Sequence, residues 1–179
     1  MRLFVAIDLP PEAKEALSAE QQRIARRLTS IRLVKAAQLH LTLVFLGYRP
    51  EKEIPAIAAA ASAAVADLPA ARLTATAVTP VPKRHPRLFA LDLDDDGGRA
   101  TALQAAASDA LAAGRFYTPE RRPFWPHLTF ARVKRGARAT PLDDDPPPGP
   151  LEASRVTLYR SLLSPRGARY EPLDLIDLD

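Results

Sequence analysis

The chain carries a partial copy of itself. "LFVAIDL" from Leu3 is followed by a helix-patterned stretch and then by "HLTLVFLG" from His40; "LFALDL" from Leu88 is followed by a second such stretch and then by "HLTFARVK" from His127. The strand starts lie 85 residues apart and the histidines 87. That period is too long, and its copies too few, for a solenoid; it indicates a duplicated strand-helix-strand unit whose copies face each other across a cleft. In 179 residues the two copies must share one core, so a single domain over 1–179 made of two intertwined lobes is expected.

Turn residues cut each copy into elements. "RLFVAIDL" (Arg2 to Leu9) is β-branched and aromatic and is closed by Pro10 and Pro11, the pattern of a strand. Ala13, Leu17, Ile24 and Leu28 then fall near helical spacing over Pro11 to Leu28. An extended segment, a strand ending at Gly47 and a helix over Ile54 to Leu68 follow. In the second copy "ARLTATAVTPV" and "PRLFALDLD" read as strands. Asp96 reads as the cap of a helix over Gly98 to Ala113 that Gly114 stops, and "FWPHLTFARVK" as one more strand. The prolines of "TPLDDDPPPGP" preclude helix or sheet, leaving an exposed connection. "LEASRVTLYRSLL" and "ARYEPLDLIDL" read as two closing strands joined by a turn around Pro165 to Gly167.

Composition removes several function classes. With no cysteine there is no disulfide, thiolate nucleophile or cysteine-ligated zinc. Asp8 interrupts the first apolar run, and the alanine-rich stretch Ile57 to Val65 is too short for a bilayer, so neither a signal peptide nor a membrane span is expected. A cytoplasmic protein fits. Net charge is only +4, but arginine far outnumbers lysine. That suits bidentate contact with phosphate, although G+C-rich coding produces the same excess.

Two of the three histidines begin a His-Leu-Thr tripeptide. Side chains two apart on a strand share a face, so His40 with Thr42, and His127 with Thr129, form two small polar faces backed by Leu41, Leu43, Phe45, Leu128 and Phe130. Threonine occupies ten positions, so a histidine acquires one two residues later with a chance of roughly one in eighteen; two of three doing so is on the order of a 1% accident. If an approximate twofold axis relates the lobes, two imidazoles and two hydroxyls meet around one point. A neutral imidazole takes a proton from water while a protonated one donates to a departing alkoxide, and the hydroxyls donate to non-bridging oxygens. This outlines phosphodiester cleavage without a metal.

These segments, with "RLFVAIDLP", "LHLTLVFLG", "FWPHLTFARV" and "LYRSLLSPRGARYEPL", resemble the two-histidine phosphoesterase superfamily, and within it the RNA 2′,3′-cyclic phosphodiesterase branch, historically called 2′-5′ RNA ligases. The resemblance covers nearly the whole chain. It implies an α+β, bilobal (LigT-like) fold with two pseudo-symmetric antiparallel-sheet lobes and outer helices around a central cleft. It further implies hydrolysis of a terminal 2′,3′-cyclic phosphate to a 2′-phosphomonoester, with His40 protonating the departing 3′ oxygen, His127 activating water, and no cofactor. Arg132 is carried over as a phosphate ligand, although strict alternation sends it to the face opposite His127 unless the strand twists or bulges. RNA with a cyclic phosphate end, or a related cyclic nucleotide, is the implied partner, and a monomer suffices.

Phe4, Phe45 and Trp125 are candidate stacking surfaces for a base. His85 with Lys83, Arg84 and Arg87 reads as a basic loop, and Arg121 and Arg122 as further candidate phosphate contacts. Alternative readings are a non-catalytic RNA-end binding module and 2′-5′ ligation as the reverse reaction. The spacings of the three histidines match no compact metal motif, and helix capping accounts for the aspartates of "DLDDDGG".

Overall fold

The computed structural model describes residues 1–140, 146, 149–164 and 167–178. The proline-rich connection expected from Thr140 to Pro150 and the turn expected around Pro165 to Gly167 lie mostly outside these residues. In chain order the elements are β1 (Arg2–Asp8), α1 (Pro11–Ala25), β2 (Ile31–Leu33), β3 (His40–Tyr48), α2 (Ile54–Val65), β4 (Ala71–Val81), β5 (Leu88–Asp95), α3 (Arg99–Ala113), β6 (His127–Val133), β7 (Pro150–Ala153), β8 (Arg155–Ser164) and β9 (Gly167–Asp177). The fold is α+β. All the strands join one antiparallel sheet in the order β7-β4-β5-β6-β3-β1-β8-β9, with β2 added to β6.

Each helix forms where apolar residues recur along one face: Ala13, Leu17 and Ile24 on α1, Ile57, Ala61 and Val65 on α2, and Ala100, Leu103, Ala107 and Leu111 on α3. Pro11 starts α1 at the first helical position, where its missing N–H costs nothing. α1 ends at Ala25 and α2 at Val65, three residues short of the expected Leu28 and Leu68. α2 and α3 pack on each other. Complete burial of residues such as Leu17, Ile57 and Leu103 contributes about 1.5–3 kcal/mol each.

Two expectations are corrected. The carboxylate at the start of α3 is Asp95, not Asp96: its oxygens accept the backbone N–H groups of Ala100 and Thr101, each at 2.8 Å. Gly97 and Gly98, at φ 65° and 69°, turn the chain back so that Asp95 reaches the helix, while Asp96 points outward to Arg72 at 3.6 Å. The run expected as one strand from Leu151 to Leu163 is two, broken at Ser154: β7 pairs with β4 and β8 with β1. Only Ser154 separates strands that lie near opposite ends of the sheet order, so the sheet is curled until its ends approach.

The duplication is visible in register. On β1 and β3, Asp8 stands opposite His40 and Ala6 opposite Thr42; on β5 and β6, Asp92 stands opposite His127 and Ala90 opposite Thr129. On the other side, Ala6 pairs with Thr157 of β8 and Ala90 with Thr79 of β4. β3 and β6 meet at the pair Leu41 and Leu128, which marks the approximate twofold axis.

Candidate active site

Each histidine strand carries a bulge at the same place. Val5 pairs with Val44 and the next residue, Ala6, with Thr42; Phe89 pairs with Ala131 and the next residue, Ala90, with Thr129. Leu43 and Phe130 are therefore extra residues, and alternation changes phase at them. Two consecutive buried residues follow in each strand, Leu43 with Val44 and Phe130 with Ala131. As a result Phe45 and Arg132, each five residues after its histidine, return to the histidine face. Both line the cleft with His40, Thr42 and Thr129. Simple alternation puts Phe45 on the apolar backing face; the bulge reverses that and brings Arg132 across as well.

The cleft holds a cavity of about 550 Å³. Arg2, Arg32, Lys35 and Arg132 bring four cations to its walls, and none of them is ion-paired among the described residues. This is a setting for a phosphate anion. His127 is not part of that lining. The Leu41–Leu128 pairing, continued one residue each way, sets His40 opposite Thr129 and Thr42 opposite His127. The two imidazoles are then diagonal neighbours on one face, a relation that spans about 7–8 Å between Cα atoms.

Both rings are anchored identically. His40 Nδ1 lies 2.7 Å from the Gln38 carbonyl, and His127 Nδ1 lies 2.7 Å from the Trp125 carbonyl. A carbonyl only accepts, so Nδ1 carries the proton in each ring and Nε2 is left for the substrate. The surroundings differ. His40 is half-buried against Phe4 at 4.9 Å and Tyr170 at 5.2 Å. Burial pulls its pKa below the ordinary 6.5, partly opposed by the Gln38 carbonyl and Asp8, and reinforced by Lys14 and Arg132. His127 is stacked on Trp125, with ring centroids 4.0 Å apart and planes 15° apart.

Two carboxylates complete the mirrored arrangement. Asp8 accepts from Lys14 at 3.0 Å and from the Tyr159 hydroxyl at 2.8 Å. Burial and that hydrogen bond push the Tyr159 pKa up, so the phenol keeps its proton and donates. Asp92 accepts from Trp125 Nε1 at 3.1 Å and from the Thr79 hydroxyl at 2.6 Å. Asp92 thus serves the Trp125–His127 pair and not the helix cap, which Asp95 forms. The signal for both was present: "LFVAIDL" and "LFALDL" each carry an aspartate just before the final leucine.

The aromatic candidates separate. Phe45 is 45% exposed on the cleft, with the Arg2 guanidinium 4.9 Å from its ring. Phe4 also lines the cavity but is only 4% exposed, packed against His40, Tyr159 and Tyr170, so its main contact is with His40 and the tyrosines. Trp125 is 42% exposed but already covers His127. His85, Lys83, Arg84 and Arg87 are exposed in and beside the β4–β5 turn, and Arg121 and Arg122 are exposed ahead of β6; none of these lines the cavity. Among the described residues no group of three or more His, Cys, Asp or Glu is placed to hold a metal ion, and no helix is long and apolar enough to cross a membrane.

The model of the 2′-5′ RNA ligase superfamily matches residues 9–164. A curated relative from Thermus thermophilus, named RNA 2′,3′-cyclic phosphodiesterase, is 35% identical over 99% of this chain and 90% of its own length. One of the same name from Escherichia coli is 32% identical over 96% and 93%. Among solved structures, TT0787 of Thermus thermophilus superposes with a TM-score of 0.80 at 33% identity, covering 99% of this chain and 98% of that one. Escherichia coli LigT complexed with 3′-AMP gives 0.78 at 27% identity, covering 99% and 97%. With both histidine motifs, the fold and the family match in agreement, the chain belongs to the 2′-5′ RNA ligase superfamily, whose members are two-histidine phosphoesterases.

Proposed function

We propose that this chain is an RNA 2′,3′-cyclic phosphodiesterase that opens a terminal 2′,3′-cyclic phosphate to a 2′-phosphomonoester. The observation that carries this reading is the paired anchoring of His40 and His127, whose Nδ1 atoms both face main-chain carbonyls and leave both Nε2 atoms for chemistry, His40 on the cationic cleft itself. The names of the relatives support the same chemistry.

His127 takes the proton of a water molecule as its oxygen bonds to phosphorus; the bond to the 3′ oxygen breaks, and His40 supplies the proton that makes it a hydroxyl. Arg132, Thr42 and Thr129 hold the non-bridging oxygens, where negative charge grows. His40, whose neutral form burial favours, acquires its proton as the anionic substrate offsets the nearby cations. The two imidazoles meet both proton-transfer needs, so turnover is expected to be unchanged in excess chelator. We further read the chain as one domain of two lobes acting as a cytoplasmic monomer.

The test is incubation with an oligonucleotide ending in a 2′,3′-cyclic phosphate and identification of the terminal monoester. A 2′-phosphate is expected; a 3′-phosphate, or no turnover, overturns the reading, and binding without turnover favours an RNA-end binding module. His40→Ala and His127→Ala are each expected to slow turnover by about 10²–10⁴-fold. With a nitrophenyl phosphodiester, whose leaving group needs no proton, His40→Ala should recover most of its loss and His127→Ala should not. The opposite pattern exchanges the two roles.

A further inference from the structure

A second cavity, of about 580 Å³, shares the Phe45 wall with the catalytic one. Its other walls are Leu46 and Arg49 at the end of β3, and the segment after α3 containing Arg115, Phe116 and Tyr117. A specific local device builds that segment. A Cβ on Gly114 would meet the Phe116 ring at 2.5 Å, so the glycine is what lets Phe116 fold back onto the last turn of α3. Arg115, at φ 60°, takes the left-handed conformation that side-chain-bearing residues rarely adopt and is exposed. The Arg49 guanidinium lies 6.0 Å from the Phe116 ring, and the Tyr117 hydroxyl accepts the Glu120 N–H at 3.3 Å. Glu120, the acidic member of the lining, is paired with Arg122 at 3.2 Å.

Arg49 is already paired with Glu53 at 2.5 Å, which leaves Arg115 as the guanidinium beside the aromatic lining, a combination that suits the phosphate and base of single-stranded nucleic acid. The location follows from the duplication: the segment after α3 lies beside the end of β3 as Ile31 to Leu33, after α1, pair with the end of β6. A strand whose terminal nucleotide occupies the catalytic cavity needs only to pass the Phe45 ring to enter the second. We propose that this cavity binds the nucleotide preceding the reacting one, so that the preferred substrates are oligonucleotides and not mononucleotide cyclic phosphates. This rests on the phosphodiesterase reading above.

The test compares kcat/KM for a mononucleotide 2′,3′-cyclic phosphate and for a trinucleotide with the same end, in the wild type, Arg115→Glu and Tyr117→Ala. The wild type should favour the trinucleotide by about tenfold or more. Both variants should lose most of that preference and keep the mononucleotide rate within about twofold, which also shows that they are folded. Equal wild-type values for the two substrates, or an equal loss on both in the variants, overturns the proposal. Absence of turnover on both would count against the phosphodiesterase reading instead. In that event anisotropy of a labelled trinucleotide 3′-phosphate decides the cavity by itself: weaker binding to Arg115→Glu supports it, and unchanged binding refutes it.

Discussion

At His40, desolvation outweighs the Gln38 carbonyl and Asp8, so the imidazole is held below its ordinary pKa and is neutral at pH 7. An anion arriving beside it favours the protonated form, so binding takes up a proton and weakens as pH rises through the His40 pKa. Titration calorimetry with sulfate near pH 6.5, in buffers of different ionisation heat, should show net proton uptake that His40→Ala abolishes; wild-type binding with no uptake contradicts this assignment. For stability the sign follows from the same shift. The folded pKa lies below the unfolded 6.5, the unfolded chain binds more protons, and this contribution is lost as pH falls from about 6.5 through the folded value. On the proposed function, Arg132 acts through charge and geometry together. Arg132→Ala should lower kcat/KM by about 10–100-fold, the loss of a charged hydrogen bond, with Arg132→Lys recovering only part. The histidines and threonines were legible because they are a repeated triplet. The side taken by Arg132 was not, because it depends on Phe130 being unpaired against β5.

Among the elements, the helices were readable as periodic runs and the errors fell where one element meets another. Asp95 and Asp96 have the same chemistry, and only the left-handed turn at Gly97 and Gly98 selects between them. Asp95→Ala should therefore cost about 1–2 kcal/mol in urea unfolding, whereas Asp96→Ala should stay within about 0.5 kcal/mol. On α1, Gln21 is 1% exposed and donates to the Val34 and Phe130 carbonyls at 2.9 and 2.7 Å. It ties the helix to the bulge that turns Arg132 inward. Gln21→Leu leaves those acceptors without the amide and should lower stability by about 1–3 kcal/mol, read as an earlier urea midpoint at unchanged m. A glutamine on the apolar stripe of α1 gave no hint of its partners, since both lie beyond its own helix.

Across the molecule, the lobes are joined at Leu41 and Leu128 and again through Ser154, where the chain passes from β7 in one lobe to β8 in the other. Neither lobe is complete without a strand delivered by that passage, so unfolding should be one cooperative transition. Fluorescence of Trp125, the single tryptophan, reports the His127 lobe, while far-UV dichroism reports both. Their urea midpoints should coincide, and two separated midpoints would show independent lobes. Residue order alone carried the repeat, the paired His-Leu-Thr faces, most of the strands and the family, because periodicity, turn chemistry and recurrence are written within single segments. The pairing of strands settled the rest: the bulges that reverse Phe45 and Arg132, the placing of Asp8 and Asp92 opposite the two histidines, the burial that lowers the His40 pKa, and the break at Ser154. Each of these depends on which segment lies opposite, and no segment specifies its neighbour by itself.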